Sequence, residues 1–162
     1  MKSALRKQGK GVKMSVRVED RKESRTNFVY ETYKLSLQIG KIVVNKPKKY
    51  RMNFGDHLIK TTQKAWKHTQ IANSIYISKD TPLCDYELRR KYLLKARGEV
   101  KHISSALSQF LDLTLGECDS ESKPMNVEKT LKTEAEIGGK CSEIIKMING
   151  VLKHDSLLVD KS

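Results

Sequence analysis

The chain has 162 residues, of which 38% are hydrophobic, 31% charged and only 6% aromatic. This composition excludes a disordered polypeptide, and a domain of this length can bury about 70% of the surface that its unfolded chain exposes. The formal net charge of +13 favours a partner that carries phosphates.

The positive charge is unevenly distributed along the sequence. Residues 1–25 carry a net charge of +6 and residues 26–102 a net charge of +10, whereas residues 103–162 carry a net charge of −3. We therefore expect a polyanionic partner to meet the first two thirds of the chain.

The N-terminal segment, residues 1–25, alternates basic and small polar residues without an apolar period, which predicts a flexible basic arm. A first amphipathic helix is predicted from Asn27 to Val44 because apolar residues recur there at steps of three and four. Its predicted core residues are Phe28, Thr32, Leu35, Ile39, Ile42 and Val43. The connection NKPKKYRMN should end this helix at Pro47, and Asn53 is the predicted N-cap of the next one.

Two further helices are predicted in the middle of the chain. The second runs from Phe54 to about Tyr76, and its predicted core face is Phe54, Leu58, Thr62, Ala65, Thr69, Ala72 and Tyr76. The third runs from Pro82 to about Leu115, with Thr81 as its N-cap. Its predicted core face is Leu93, Ala96, Val100, Ile103, Leu107 and Phe110.

An acidic, polar loop is predicted from Gly116 to Asn126, followed by a fourth helix. The predicted core residues of this helix are Val127, Leu131, Cys141, Ile145, Ile148 and Leu152. Gly138 and Gly139 indicate either a close helix approach or a local break. Because no segment alternates with period two, the predicted fold is all-α: an antiparallel up-down four-helix bundle over residues 26–153, with residues 154–162 as a C-terminal tail.

Helical geometry collects positive side chains on surfaces turned away from the predicted core. The predicted nucleic-acid-binding residues are Lys48, Lys49, Arg51, Lys60, Lys64, Lys67, Arg90, Lys91, Lys95, Arg97 and Lys101. Any one stripe is more simply explained as a face that keeps the protein soluble. Several patches of one sign together with a basic arm favour a nucleic acid, RNA or alternatively DNA, and without a base-reading motif the expected contacts are to its backbone.

A second set of apolar residues predicts self-association. On the first helix these residues lie nearly opposite the core face, and on the second they lie at its border. The predicted homo-oligomer interface is Tyr30, Tyr33, Leu37, Val44, Ile59 and Trp66. A wide core, or a basic arm folded back over these residues, is the alternative explanation.

The sequence predicts no catalytic residue, no cofactor and no metal site, so the protein is expected not to be an enzyme. Glu99 and His102 form a single Glu-x-x-His pair, whereas a di-iron bundle needs two such pairs and two further Glu residues. The three cysteines are widely spaced without a Cys-x-x-Cys pair, which argues against a zinc site and against disulfides. With no signal segment or apolar span visible, a cytoplasmic protein without a membrane partner is predicted.

The order of these motifs resembles a known family. An apolar helix ending in NKPKKYRMNFGDHL, a second helix with IKTTQKAWKHTQIAN, a long third helix and a fourth with AEIGGKCSEIIKMING span about residues 27–152. They are similar to the four-helix-bundle family of the accessory variability determinant of diversity-generating retroelements and of the proteins encoded in intervening sequences of bacterial 23S rRNA genes.

This resemblance implies a homopentameric barrel of four-helix protomers that binds a reverse transcriptase and its template RNA during mutagenic cDNA synthesis. Lys48, Lys49 and Arg51 match the basic connection of the family, and the basic positions of the third helix match it in placement. The basic arm and the acidic loop depart from the family pattern. The alternative is a helical protein–protein adaptor, or an intervening-sequence type of bundle, with no reverse transcriptase partner.

Overall fold

A computed structural model of the protein describes residues 27–115 and 124–159. Its helices are α1 (Asn27–Val44), a short α2 (Lys48–Tyr50), a π-helical turn (Arg51–Gly55), α3 (Asp56–Ser74), α4 (Leu83–Leu115) and α5 (Pro124–Val159). These two ranges contain no strand, which confirms the all-helical prediction for them. The predicted basic arm and the predicted acidic loop up to residue 123 lie outside the described residues.

The four long helices enclose one apolar core. Helix α1 packs against α3 and α5, and α4 packs against the same two helices from the other side. The largest fully buried side chains come from all four helices: Phe28, Leu35, Ile39, Val43, Leu58, Leu93, Ile103, Leu107, Phe110, Leu111, Ile144 and Ile148. All six predicted core residues of α4 are buried, and five of the six predicted for α1 are buried, with Ile42 half-buried.

The second predicted helix differs from the structure at both ends. Phe54, expected in the core, lies in the π-helical turn and is 43% exposed, because the wider turn changes the direction in which successive side chains point. Asn53 lies inside the same turn and therefore caps no helix. Tyr76 lies beyond the end of α3 and is 83% exposed.

The π-helical turn brings the backbone of Gly55 against α1. Gly55 is buried, and a Cβ atom at this position would lie 2.5 Å from Cγ1 of Val43 and 3.6 Å from Cε2 of Phe110. Only a residue without a side chain fits so close to α1. The turn therefore joins α2 to α3 and anchors that junction to the core.

Helix α5 departs most from the sequence prediction. It begins at Pro124, inside the predicted loop, and continues without a break through Gly138 and Gly139 to Val159. Val127 and Leu131, expected in the core, are exposed. The buried face is Ile137, Cys141, Ile144, Ile148, Val151 and Asp155, at steps of four and three. The predicted tail from residue 154 is thus wrong as far as Val159.

A buried ion pair ties three helices together at one end of the bundle. The Arg89 guanidinium of α4 donates through Nε to Oδ2 of Asp155 on α5, at 2.6 Å, with both side chains at most 10% exposed. Its Nη1 donates to the carbonyl oxygens of Ala72 and Ile75, at 3.0 and 2.6 Å. Since these carbonyls end α3, the arginine caps that helix from a neighbouring one.

None of the helices in the described ranges combines the length and the apolar character that crossing a bilayer requires.

Candidate nucleic-acid interface

The seam between α3 and α4 brings distant parts of the sequence together. Nε2 of His57 lies 3.3 Å from Nε2 of His102, and the ring centroids of His68 and Tyr92 are 5.7 Å apart. Positions that face each other therefore run in opposite order along the two helices. In this register the lysines of α3 lie beside the basic stretch of α4.

The predicted lysines of α3 are all exposed on its outer side. Lys60, Lys64 and Lys67 point away from the fully buried Leu58 and Ala65. Lys60 forms an ion pair with Asp56 at 2.6 Å, one turn earlier. Lys64 and Lys67 form no ion pair with another residue of the described ranges.

The basic residues of α4 divide between its two neighbours. Arg90, Lys91 and Lys95 are exposed and line one shallow depression of the helix surface. Half-buried Arg97 turns toward α5, where its Nη1 donates to Oδ1 of Asn149 at 2.9 Å. Lys101 is exposed and borders a groove between α4 and α5.

The lysines of α3 and α4 both influence the pKa of one side chain, His68. Burial lowers the pKa of this half-buried imidazole from its ordinary value of 6.5, Glu99 opposes that shift, and Lys95, Lys67 and Lys64 lower the pKa further. Nδ1 of His68 is buried and has no hydrogen-bond partner. Positive charge from two helices therefore converges around a half-buried histidine.

We call the exposed lysines and arginines on this side of the two helices the α3/α4 basic face. Its members are Lys60, Lys64, Lys67, Arg90, Lys91 and Lys95, whereas Lys101 lies in the groove between α4 and α5 together with Glu134. The nearby acids are Asp56, which is paired with Lys60, half-buried Glu99 in the seam and exposed Glu87. A face on which positive residues outnumber carboxylates in this way attracts polyanions, because their phosphates relieve the repulsion between its charges.

The basic connection precedes the α3/α4 basic face along the chain, and its Lys48 and Arg51 line one depression with Asp56, the ion-pair partner of Lys60. Lys48 and Lys49 are exposed, and Nζ of Lys49 lies 4.9 Å from the ring centroid of Tyr50, which is itself packed into the core. Arg51 is half-buried, and its Nε has no hydrogen-bond partner. Since a helix rises about 1.5 Å per residue, roughly 25 Å separates this region from Lys67 along the helix axis.

The residues predicted for self-association lie on α1 and α3, and one of them, half-buried Ile59, packs against the core. Tyr33 is 38%, Leu37 48% and Val44 62% exposed. The rings of Tyr33 and half-buried Trp66 are 5.3 Å apart, centroid to centroid, so the two helices share this apolar surface. Tyr30 and Ile59 are half-buried, and Nζ of Lys34 lies 4.8 Å from the Tyr30 ring centroid.

Groups suited to covalent or metal chemistry are sparse in the part of the chain that the structure describes. No three His, Cys, Asp or Glu side chains there meet closely enough to hold a metal ion. Cys84 and Cys141 are free thiols, and burial raises the pKa of Cys141 to about 11. Cys141 therefore stays protonated at neutral pH and is a poor nucleophile.

Sequence reasoning missed two features of this region. Arg89 belongs to the core face of α4, four residues before Leu93, and that spacing was the available signal. The approach of His57 to His102 joins positions 45 residues apart, and no local pattern announces it.

Comparisons with models of protein families, with curated proteins and with solved structures gave no match. The family resemblance drawn from the sequence motifs therefore stays a prediction.

Proposed function

We propose that the protein is a non-catalytic accessory protein that binds RNA, or alternatively DNA, by its phosphates along the α3/α4 basic face. The observation that carries this proposal is the convergence of Lys64, Lys67 and Lys95 around His68 without ion-pair partners in the described ranges. Lysines are compact point charges suited to phosphates, and binding releases the counterions condensed on the nucleic acid.

The expected binding mode is positional, not base-reading. The side chains of the α3/α4 basic face are long, flexible lysines for the most part, which contact phosphates and carry no sequence information. Arg97, a predicted nucleic-acid-binding residue, is held by Asn149 of α5 instead of being free to contact a base. We therefore expect weak discrimination among sequences.

A more specific form of the proposal rests on the family resemblance. In this form the protein is an up-down bundle that assembles into a homopentamer, and it brings a template RNA to a reverse transcriptase during mutagenic cDNA synthesis. The exposed apolar surface at Tyr33, Leu37 and Val44 supports the assembly, because it needs a cover. A gene for a reverse transcriptase beside the gene for this chain, with a repeated template region, would support the partner, and co-purification of the two proteins tests it.

The proposed interface is tested by charge reversal with a matched control. The variant K64E/K67E/K95E should bind single-stranded RNA at least about 100-fold more weakly in fluorescence anisotropy, because three phosphate contacts become repulsive. The control K129E/K132E/K153E makes the same charge change on exposed positions of α5 and should lose much less affinity. Circular dichroism checks that both variants are folded.

The salt dependence adds a second readout. With about six phosphates contacted, raising the salt from about 50 to about 200 mM should weaken binding by on the order of 300-fold, and the reversed variant should show a shallower slope. Equal losses in the two variants, or an affinity indifferent to salt, would reject the proposed interface.

A second candidate function is a helical adaptor that joins proteins through the apolar surface of α1. The exposure of Leu37 and Val44 favours it. An adaptor of this kind would retain RNA neither in the parent protein nor in the charge-reversed variant, whereas L37D would abolish its protein contacts.

A further inference from the structure

We propose that His57 and His102 form a binding site for a divalent transition metal of the Zn²⁺ class across the seam between α3 and α4. This inference does not depend on the proposed nucleic-acid binding. It starts from the two Nε2 atoms, which face each other at 3.3 Å, with the ring planes at 79°.

The distance between the two nitrogens suits a metal ion. Imidazole nitrogens bind Zn²⁺ at about 2.0 to 2.1 Å, and a tetrahedral angle then separates two such ligands by about 3.3 Å. Without a metal, the same contact requires one Nε2 to donate an N–H to the unprotonated Nε2 of the other ring. A metal would replace that single exposed hydrogen bond with two coordinate bonds at a similar distance between the two Nε2 atoms.

The two ligands are held in place by the bundle core. Each histidine precedes a buried residue of its helix: Leu58 follows His57 with 1% exposure, and Ile103 follows His102 with none. Core packing thereby fixes both backbones, while both imidazoles stay exposed at the edge of the seam. Little ordering remains to be done when the metal binds.

The surroundings restrict which metal fits. Asp56, the carboxylate beside His57, is already paired with Lys60, and exposed Lys101 adjoins His102. Glu134 of α5 lines the same groove as His102, but no three His, Cys, Asp or Glu side chains of the described ranges are grouped closely enough to hold an ion. The ligands are therefore the two imidazoles, which suit zinc, copper and nickel and not hard cations such as Mg²⁺ or Ca²⁺. Water fills the remaining coordination positions, so the site is open.

Because the surroundings are positively charged, metal binding and phosphate binding should depend on salt in different ways. The neighbouring lysines repel a cation, so screening by salt should leave metal affinity unchanged or raise it. Phosphate binding on the α3/α4 basic face should instead weaken as salt increases. Failure of one proposal therefore leaves the other standing.

The test measures Zn²⁺ binding to the full chain in two ways, by isothermal titration calorimetry and by thermal unfolding with and without the metal. The parent protein should bind Zn²⁺ and unfold at a higher temperature in its presence, because the metal links two helices only in the folded state. H57Q and H102Q should each abolish this shift, since a chelate needs both rings. The controls H68Q and C84S should keep it, which rules out a shift caused by the other seam histidine or the exposed thiol.

Acidification supplies an independent readout, since protons compete with the metal for the same nitrogen atoms. The Zn²⁺-induced shift should disappear on acidification in the parent protein. Two results would overturn the proposal. One is an unchanged Zn²⁺-induced shift of the unfolding temperature in both H57Q and H102Q. The other is no shift in the parent protein at about 1 mM Zn²⁺, a roughly 100-fold excess over protein.

Discussion

At the scale of single residues, Arg89 shows how one side chain can serve the fold inside a basic segment. It stands next to Arg90 and Lys91 in the sequence, yet its guanidinium is buried and meets Asp155 and two backbone carbonyls. Neutralisation by one carboxylate and hydrogen bonding by two carbonyls make this burial tolerable. Adjacent basic residues can therefore have opposite roles, one buried and one exposed. In the sequence, only their positions in the helical repeat distinguish the two.

Replacing Arg89 should destabilise the protein strongly. R89M leaves the Asp155 carboxylate buried without its partner, and we expect the free energy of unfolding to fall by about 3 to 5 kcal/mol. The control R90M removes an exposed neighbour and should change it by less than about 0.5 kcal/mol. Urea denaturation followed by circular dichroism measures both. Similar values for the two variants would contradict the role assigned to the buried pair.

His68 should make the stability of the fold depend on pH. Its pKa in the folded protein lies below the ordinary 6.5, chiefly because of burial. Above pH 6.5 the imidazole is neutral in both states and has no effect, whereas below that pH the unfolded chain takes up the proton more readily, so stability falls. H68Q should therefore lose less stability than the parent between pH 8 and pH 5 in urea titrations. Parallel pH profiles of parent and variant would contradict this assignment.

At the scale of secondary structure, the sequence predicted the helices where the apolar period is unbroken. In α1 the step of three and four residues runs from end to end, in α4 it runs from Arg89 to Thr114, and both predicted extents lie within one residue of those observed. The prediction failed at the π-helical turn, because a turn with an extra residue is invisible to a period of 3.6. In α5 it failed because Val127 and Leu131 have the spacing of core residues but are exposed, and the buried face begins only at Ile137.

Gly55 is where the π-helical turn is most sensitive to substitution. G55A would place a Cβ atom 2.5 Å from Cγ1 of Val43, so the Val43 side chain, α1 or the turn must shift. We expect a loss of about 1 to 3 kcal/mol in the free energy of unfolding. G139A, at an α5 position where a Cβ meets nothing within 4 Å, should instead gain up to about 1 kcal/mol from helix propensity.

Thermal and urea unfolding of the two glycine variants, compared with the parent protein, distinguish these outcomes. A neutral G55A would mean that the contact between the turn and α1 relaxes freely, contrary to its anchoring role.

At the scale of the whole molecule, the sequence predicted which surfaces are basic but not how they combine. Helical periods placed Lys64, Lys67 and Lys95 on outer surfaces, as observed. Their convergence on His68 depends on the register between α3 and α4, which tertiary packing sets. Lys48 and Lys49 lie about 25 Å from Lys67 along the helix axis, and Asp56 with its ion-pair partner Lys60 lies between them and this cluster.

The apolar surface of α1 predicts the behaviour of the protein in solution. Light scattering at micromolar concentration should give a mass above that of one chain, because Leu37 and Val44 need a cover. L37D should lower this mass, whereas the control L131D, at an α5 residue that is 58% exposed, should not. A strictly monomeric parent protein would contradict the predicted self-association.

The buried pair of Arg89 and Asp155 also limits how the chain can be shortened. A truncation that stops before residue 155 would strand a guanidinium in the interior and release the cap on the end of α3, although it removes only the last turns of α5. Affinity tags and C-terminal truncations should therefore leave the chain intact through Asp155.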